Sequence, residues 1–234
     1  KDFPEDEYLM FATSQGMVKK TSMALYNRTR RDGLIAINLK DGDKLISVKR
    51  VQPGDMVVIA ANTGKAIKWD ESEVRAMGRG TMGVHGISLP VGAEALGLEI
   101  AREDSELLVI TEKGYGKRTP IEEYPTQHRG GQGVFTINMT AKKGMLADVK
   151  VVNPGDEIII MSEDGLTVRT PVSGISQQGR STQGVHIMNV ADEDKVSVIA
   201  ISKRAKKRVH KNELGQEEIE ADGKDEMSEE DLDD

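Results

Sequence analysis

A sequence unit of about 50 residues occurs four times in this chain of 234 residues. Its clearest mark is a glycine that is followed at once by an apolar, strand-like run. The four copies are spaced 50, 50 and 51 residues apart, at Gly33, Gly83, Gly133 and Gly184. A second set of glycines stands in predicted hairpin turns with similar spacing, at Gly16, Gly64, Gly114 and Gly165. A period near 50 residues with several short strands per unit indicates radial β-blades.

Apolar runs separated by turn residues predict four short antiparallel strands in each unit. In the first unit the predicted strands are residues 8–13, 17–21, 34–37 and 44–48. Similar apolar runs open the next three units, at residues 56–60, 106–110 and 157–161. We therefore predict an all-β, propeller-like array of four blades. The predicted repeats are residues 7–55, 56–105, 106–156 and 157–204.

Charge is distributed unevenly along the chain. The net charge is −7, but residues 212–234 hold 12 acids and one base, which leaves +4 on residues 1–211. Residues 205–234 are basic and then acidic, with few large apolar side chains, so we expect a disordered tail. A cationic body with an anionic tail favours a nucleic-acid partner. The alternative is a solubilising tail on an ordinary globular body.

Composition and motifs exclude several classes of function. The chain has no cysteine, which rules out disulfides and thiolate metal sites and fits a reducing cytoplasm. No apolar run is long enough to span a bilayer, so we expect no membrane association. The four histidines lack metal-ligand spacing, and no GxxxxGK[ST] phosphate-binding motif is present. We predict no catalytic and no metal-binding residue in this chain.

Basic side chains recur at two places in the repeat. One set lies four residues after each hairpin glycine: Lys20, Lys68, Arg118 and Arg169. The other set precedes the repeat glycines: Arg30, Arg31, Arg79, Arg129 and Arg180. Radial symmetry would place such residues at equivalent points along one edge, where they could neutralise the phosphates of duplex DNA. Aromatic residues are only 3% of the chain, which argues against stacking on unpaired bases.

The third repeat contains the heptad Gln127-His128-Arg129-Gly130-Gly131-Gln132-Gly133. It resembles the gyrase box, Q-R-R-G-G-(K/R)-G, of the C-terminal domain of the DNA gyrase A subunit, and agrees with it at five of seven positions. The segments 78–84 and 179–185 resemble the looser repeats of that family, and the acidic tail is also typical. The resemblance covers about residues 7–201.

The resemblance implies a β-pinwheel that binds, bends and wraps duplex DNA through backbone phosphates, with the heptad among its contacts. In that family the wrapping domain is the non-catalytic part of an ATP-dependent type II topoisomerase that introduces negative supercoils. The implied partners are the remainder of the A subunit together with the B subunit, in an A2B2 heterotetramer of the bacterial cytoplasm that is associated with the nucleoid. ATP and Mg would bind elsewhere in that enzyme, so no cofactor is expected in this chain.

The chain departs from the family pattern in two ways. The family ring has six blades with the full box in the first, whereas here the best box lies in the third of four repeats. We therefore expect the leading blades to lie upstream of Lys1. His128 and Gln132 replace two basic positions, so the heptad is either an auxiliary wrapping site or a structural loop. One alternative function is that of a topoisomerase IV C-terminal domain. The other is a β-propeller scaffold for protein partners, and such a scaffold would show no salt-dependent DNA affinity.

Overall fold

The computed structural model describes residues 4, 6–27 and 33–202 in full, and the backbone of residues 209–211 and 217–219. The chain divides into two compact units, Lys1–Ser202 and Lys203–Asp234. The strands of the first unit are β1 (Tyr8–Thr13), β2 (Met17–Ser22), β3 (Leu45–Val51), β4 (Met56–Ala61), β5 (Lys65–Asp70), β6 (Val84–His85), β7 (Ala95–Ala101), β8 (Glu106–Thr111), β9 (Tyr115–Pro120), β10 (Val134–Phe135), β11 (Leu146–Val152), β12 (Glu157–Ser162), β13 (Thr167–Pro171), β14 (Val185–His186) and β15 (Val196–Ser202). Short 3-10 turns lie at Met23–Tyr26, Glu71–Glu73, Ile121–Glu123, Ala141–Lys143 and Val172–Gly174.

Four antiparallel sheets follow one another along the first unit, and we call them blades 1 to 4. The strand orders are β3-β1-β2-β6, β7-β4-β5-β10, β11-β8-β9-β14 and β15-β12-β13. The edge strands β3, β7, β11 and β15 contact one another in succession, so they form the inner side of the array. The predicted all-β fold with four blades is confirmed.

The outermost strand of blades 1 to 3 is supplied by the following repeat. β6 pairs with β2, β10 with β5, and β14 with β9, over two residues each. We call β6, β10 and β14 the exchanged strands. The hairpin turns that they cross leave no room for a side chain: a Cβ on Gly114, which has a φ of 76°, would lie 1.9 Å from the carbonyl oxygen of Met188. The strand exchange therefore ties each repeat to its predecessor through the backbone.

The predicted strand at residues 34–37 is wrong. Residues 33–40 have no regular secondary structure, although they occupy the place in the first repeat that the exchanged strands occupy in the others. A two-residue strand exists only by pairing with a neighbouring sheet. No sheet precedes blade 1 in the described part of the chain, so this segment has no strand to pair with.

The hydrophobic core lies between neighbouring blades. Side chains alternate across a strand, so a central strand that is apolar at every position can contribute to two interfaces. In β4, Val57 and Ile59 pack in the cluster shared with blade 1, whereas Val58 and Ala60 pack in the cluster shared with blade 3. The unbroken apolar runs of the sequence thus correspond to strands that are buried on both faces.

In the second unit, the residues whose backbone the structure describes form two short antiparallel strands, β16 (Val209–Lys211) and β17 (Glu217–Ile219). The prediction of a disordered tail falls otherwise on residues outside the described ranges. Its basic cluster at residues 203–208 and its acidic end at residues 220–234 are among them.

Candidate nucleic-acid interface

Three loops of one design lead into the exchanged strands, and we call them the box loops: residues 77–83, 127–133 and 178–184. The loop over the heptad docks on blade 2 at both of its ends. The backbone N–H of Gln127 donates to the carbonyl oxygen of Lys68 at 2.8 Å. Gly133, with a φ of 72°, lies against β5, where a Cβ would be 2.5 Å from the carbonyl oxygen of Ala66. Glycine is therefore required at the end of the heptad for close backbone approach.

The box arginine of the heptad connects two consecutive repeats. The Nε of Arg129 donates to the carbonyl oxygen of Glu73 at 2.9 Å, and its Nη1 donates to that of His85 at 3.1 Å. Its backbone N–H donates to the Glu73 carboxylate at 2.9 Å. The side chain is half-buried, so part of the guanidinium faces solvent. Arg129 is thus both an inter-blade contact and a cation on the outer side of the array.

Arg180 occupies the same place one repeat later. Its Nη1 donates to the carbonyl oxygen of Phe135 at 3.3 Å, and its backbone N–H donates to the Glu123 carboxylate at 3.2 Å. Arg79 is also half-buried, and its side chain makes no hydrogen bond to the described residues. The structure therefore places the three predicted box arginines in equivalent loops. Arg30 and Arg31 lie outside the described residues.

A buried lysine supports the last box loop. Lys117 is 0% exposed. Its Nζ donates to the carbonyl oxygens of Gly179 and of Arg180, the latter at 2.7 Å, and to Oγ1 of Thr182 at 3.0 Å. Burial lowers the pKa of Lys117 to about 8. Sequence reasoning missed this residue, because a lysine within a strand is ordinarily assigned to a solvated face.

The other two box loops rest on different supports. Lys19 is buried under the first loop and donates to the carbonyl oxygen of Arg79, and burial lowers its pKa to about 8. Ile67 occupies the corresponding position under the heptad, and a Cβ on Gly131 would lie 3.3 Å from its Cδ1. Gly130 has a φ of 78°, whereas its counterparts Gly80 and Ser181 are not in the left-handed region. The heptad loop thus has its own backbone geometry.

The prediction that the bases after the hairpin glycines form an exposed cationic edge is wrong for Lys20. Lys20 is buried, and its Nζ forms an ion pair with Oε2 of Glu71 at 2.5 Å. Lys68 is half-buried and donates from Nζ to the carbonyl oxygen of Ile121 at 3.0 Å, and burial lowers its pKa. Both side chains contact the 3-10 turn of the next repeat. That turn covers the strand face that the sequence pattern predicted to be exposed to solvent.

Arg118 and Arg169 differ from each other in exposure. Arg118 is largely buried; its Nη1 lies 2.7 and 2.6 Å from the two carboxylate oxygens of Glu106, and its Nε donates to the carbonyl oxygen of Ile175 at 2.7 Å. The side chain of Arg169 is 64% exposed and pairs with Glu157 at 2.5 Å. The exposed edge predicted from this set is therefore wrong for Arg118 as well, and Arg169, in the last blade, is the member whose side chain is mostly exposed.

Two other heptad side chains, His128 and Gln132, are exposed, whereas Gln127 is half-buried. The side chain of His128 is 99% exposed, with Nδ1 3.0 Å from Oε1 of Glu73. Gln132 is exposed at the edge of a cavity that Thr63 and Lys65 also line. His85 and His186 lie exposed on exchanged strands.

Within the described residues there is no group of three or more His, Cys, Asp or Glu that could hold a metal ion. No helix among them is long and apolar enough to cross a bilayer.

Comparison with known proteins decides the family. The model of the "DNA gyrase C-terminal domain, beta-propeller" family matches residues 7–52, 55–101, 105–153 and 156–203. The chain belongs to this family. It is 39% identical over 198 residues to the DNA gyrase A subunit of Staphylococcus epidermidis (strain ATCC 12228 / FDA PCI 1200), with 84% of this chain and 22% of the relative covered. It is 35% identical over 228 residues to the DNA gyrase A subunit of Staphylococcus aureus (strain NCTC 8325 / PS 47), with 96% and 26% covered.

Solved structures show the same architecture. The crystal structure of the C-terminal domain of DNA topoisomerase IV superposes with a TM-score of 0.81 at 25% identity, covering 87% of this chain and 64% of that one. The structure of a DNA gyrase A C-terminal domain superposes with a TM-score of 0.77 at 28% identity, covering 86% and 67%. The chain spans about a quarter of the length of the curated relatives it matches.

Proposed function

We propose that this chain binds duplex DNA along the outer side of its blades and bends it, as the DNA-wrapping part of a DNA gyrase A subunit. The observation that supports this most is the repetition of the box loop. The second and third loops each place one half-buried arginine against an exchanged strand, and Arg79 is half-buried at the same position of the first loop. Guanidinium groups at regular intervals on a blade array can contact successive phosphates of one bent duplex.

The outer edge is continuous between repeats. The hydrogen bond from Arg129 to the carbonyl oxygen of His85 joins the second box loop to β6, and that from Arg180 to Phe135 joins the third to β10. Loops and exchanged strands therefore alternate along one connected edge. Bending a few tens of base pairs costs on the order of several kcal/mol, which several phosphate contacts spread along this edge can offset.

In this proposal the chain works within the larger enzyme. Strand cleavage belongs to the remainder of the A subunit, whereas ATP hydrolysis, with its Mg, belongs to the B subunit. The two form an A2B2 assembly in which the wrapped DNA supports ATP-dependent negative supercoiling. The enzyme acts in the bacterial cytoplasm, at the nucleoid.

A topoisomerase IV C-terminal domain is the second candidate, because the TM-score of 0.81 to such a domain is slightly higher than the 0.77 to gyrase. The family match and the five-of-seven heptad favour gyrase.

A topology assay tests the proposal. The chain is bound to relaxed circular DNA, a relaxing topoisomerase is added, and the trapped supercoils are separated after the protein is removed. We expect trapped positive supercoils that increase with protein concentration and disappear at high salt, because phosphate contacts weaken steeply with salt. A linking-number distribution that stays unchanged at every protein concentration contradicts the proposal.

A further inference from the structure

A large apolar ring lies exposed on the outer edge between two box loops. Phe135 is 55% exposed, and it is the second residue of the exchanged strand β10. Val134 beside it packs against the core, and the two residues pair with Ala66 and Lys65 of β5. The ring is thus held by strand pairing at a fixed place on the surface.

Two cations from different repeats lie at Phe135, one near its ring and one at its backbone carbonyl oxygen. The Nζ of Lys65 lies 5.3 Å from the ring centroid, and the Nη1 of Arg180 donates to the carbonyl oxygen of Phe135 at 3.3 Å. Neither side chain forms an ion pair with a carboxylate among the residues that the structure describes. An ammonium, a guanidinium and an apolar surface are therefore presented together.

The same position holds a ring in the neighbouring blades. His85 in β6 and His186 in β14 are exposed at the place of Phe135, and the carbonyl oxygen of His85 accepts from Arg129 as that of Phe135 accepts from Arg180. Along the outer edge, arginines of the box loops therefore alternate with ring side chains of the exchanged strands. Among these three exchanged strands, only the middle one has an uncharged, fully apolar ring there.

Resting on the proposed function, we propose that Phe135, Lys65 and Arg180 form a binding site for one deoxyribose–phosphate unit of duplex DNA. The two cations neutralise the phosphate, and the ring packs on the C–H surface of the sugar. In a duplex the bases are stacked on each other, so an edge-mounted ring meets the sugar of the backbone first. Such a contact adds affinity through apolar burial, which does not depend on counterion release.

Salt titrations separate the ring from the cations. Duplex DNA binding is measured over a range of salt concentrations for the wild type, Phe135→Ser and Lys65→Gln. The matched control is Val91→Ser, which removes a fully exposed apolar side chain from a turn outside the box loops. We expect Phe135→Ser to bind roughly tenfold more weakly at every salt concentration, with an unchanged slope of log K against log salt. Lys65→Gln should reduce the magnitude of the slope by about 0.9, and Val91→Ser should bind like the wild type.

Two results overturn the site. One is a Phe135→Ser variant that binds DNA with wild-type affinity. The other is a Phe135→Ser variant whose salt slope is reduced as much as that of Lys65→Gln, because the ring would then act only by positioning the lysine. If Phe135→Ser loses its cooperative melting transition, a second variant with photoreactive benzoylphenylalanine at position 135 is used instead. Absence of a cross-link from this residue to DNA would then overturn the site. A wild-type chain without salt-dependent DNA affinity would refute the proposed function itself.

Discussion

The junction between repeats 2 and 3 and the junction between repeats 3 and 4 use the same box loop on two different supports. In both, an arginine of the later repeat contacts a glutamate and an exchanged strand of the earlier one. Under the heptad the support is aliphatic Ile67, with Gly131 closely packed on it. Under the last loop the support is the buried ammonium of Lys117, which donates to the loop backbone and to Thr182.

The difference explains part of the heptad sequence. Gly130 needs a left-handed backbone that Ser181 does not adopt, and Gly131 leaves room for Ile67. In the last repeat, hydrogen bonds from Lys117 take over the role that this compact glycine turn has in the third. Gly130 therefore reflects the left-handed backbone of the loop and Gly131 reflects its packing on Ile67, whereas Arg129 provides a cation.

The largest expected effect comes from removing the aliphatic support under the heptad. Ile67→Lys would bury an ammonium beneath a loop whose backbone differs from the loops that rest on lysine. We expect the free energy of unfolding to fall by about 3 to 5 kcal/mol. Urea unfolding followed by emission of Trp69, the sole tryptophan, measures it. The control Ile67→Met keeps the volume and should cost below about 1.5 kcal/mol. Equal stability of the Lys and Met variants would show that the two supports are interchangeable.

Removal of the buried ammonium at the last junction should have the next largest effect. Lys117→Met removes the Nζ donor from the carbonyl oxygen of Arg180 and leaves that of Gly179 with Thr182 alone as its donor, so we expect the free energy of unfolding to fall by about 2 to 3 kcal/mol. Lys142→Met removes an exposed lysine of the same repeat and should be neutral. A Lys117→Met variant as stable as the wild type would mean that the ammonium does not support the loop.

Two glycines at one loop position test the backbone difference. Gly130→Ala places a side chain at a φ of 78° and should cost about 1 to 2 kcal/mol. Gly80→Ala, at the corresponding position of the first box loop, should be neutral or slightly stabilising. Space does not distinguish the two sites, since no described atom lies closer than 3.6 Å to either added Cβ. Thermal melting of both variants measures the difference, and equal destabilisation would contradict the distinct geometry.

The last expected effect is a pH dependence of the junctions that rest on a buried lysine. The pKa of Lys117 is about 8 in the folded chain, below its ordinary value of about 10.4. Between these values the unfolded chain holds the extra proton, so the free energy of unfolding contributed by this group rises with pH. Below pH 8 Lys117 is protonated in both states, so its contribution to the free energy of unfolding no longer changes with pH. Urea unfolding at pH 8, 9 and 10 should show the wild type gaining stability relative to Lys117→Met; a constant difference would contradict the assigned pKa.

Repeat spacing and strand patterning predicted most of the fold. The glycine periods located the hairpins, and the apolar runs located the central strands, because those signals are local. Strand-like runs were predicted after Gly83, Gly133 and Gly184, but their exchange was not: Val84–His85 is only two residues long, and its partner, β2, is distant in sequence. Residues 34–37 have a strand-like pattern but form no strand, because the described part of the chain has no preceding sheet with which they could pair.

The site was predicted in part. The arginines of the heptad and of the last box loop do lie in equivalent loops. The periodic bases Lys20 and Arg118 have the same sequence signal but are covered by the next repeat, and sequence periodicity cannot tell a solvated face from one that a neighbour covers. Phe135 and Lys65 were missed because neither is a residue type that recurs at its repeat position: the equivalents of Phe135 are His85 and His186.

The central claim is that the box arginines contact DNA phosphates from their inter-blade positions. The most direct test is the salt slope of duplex binding for the triple variant Arg79→Gln, Arg129→Gln, Arg180→Gln, with melting checked alongside. The account predicts that the magnitude of the slope of log K against log salt falls by about 2.7, or about 0.9 for each phosphate that an arginine no longer neutralises. A folded triple variant with the wild-type slope would contradict it.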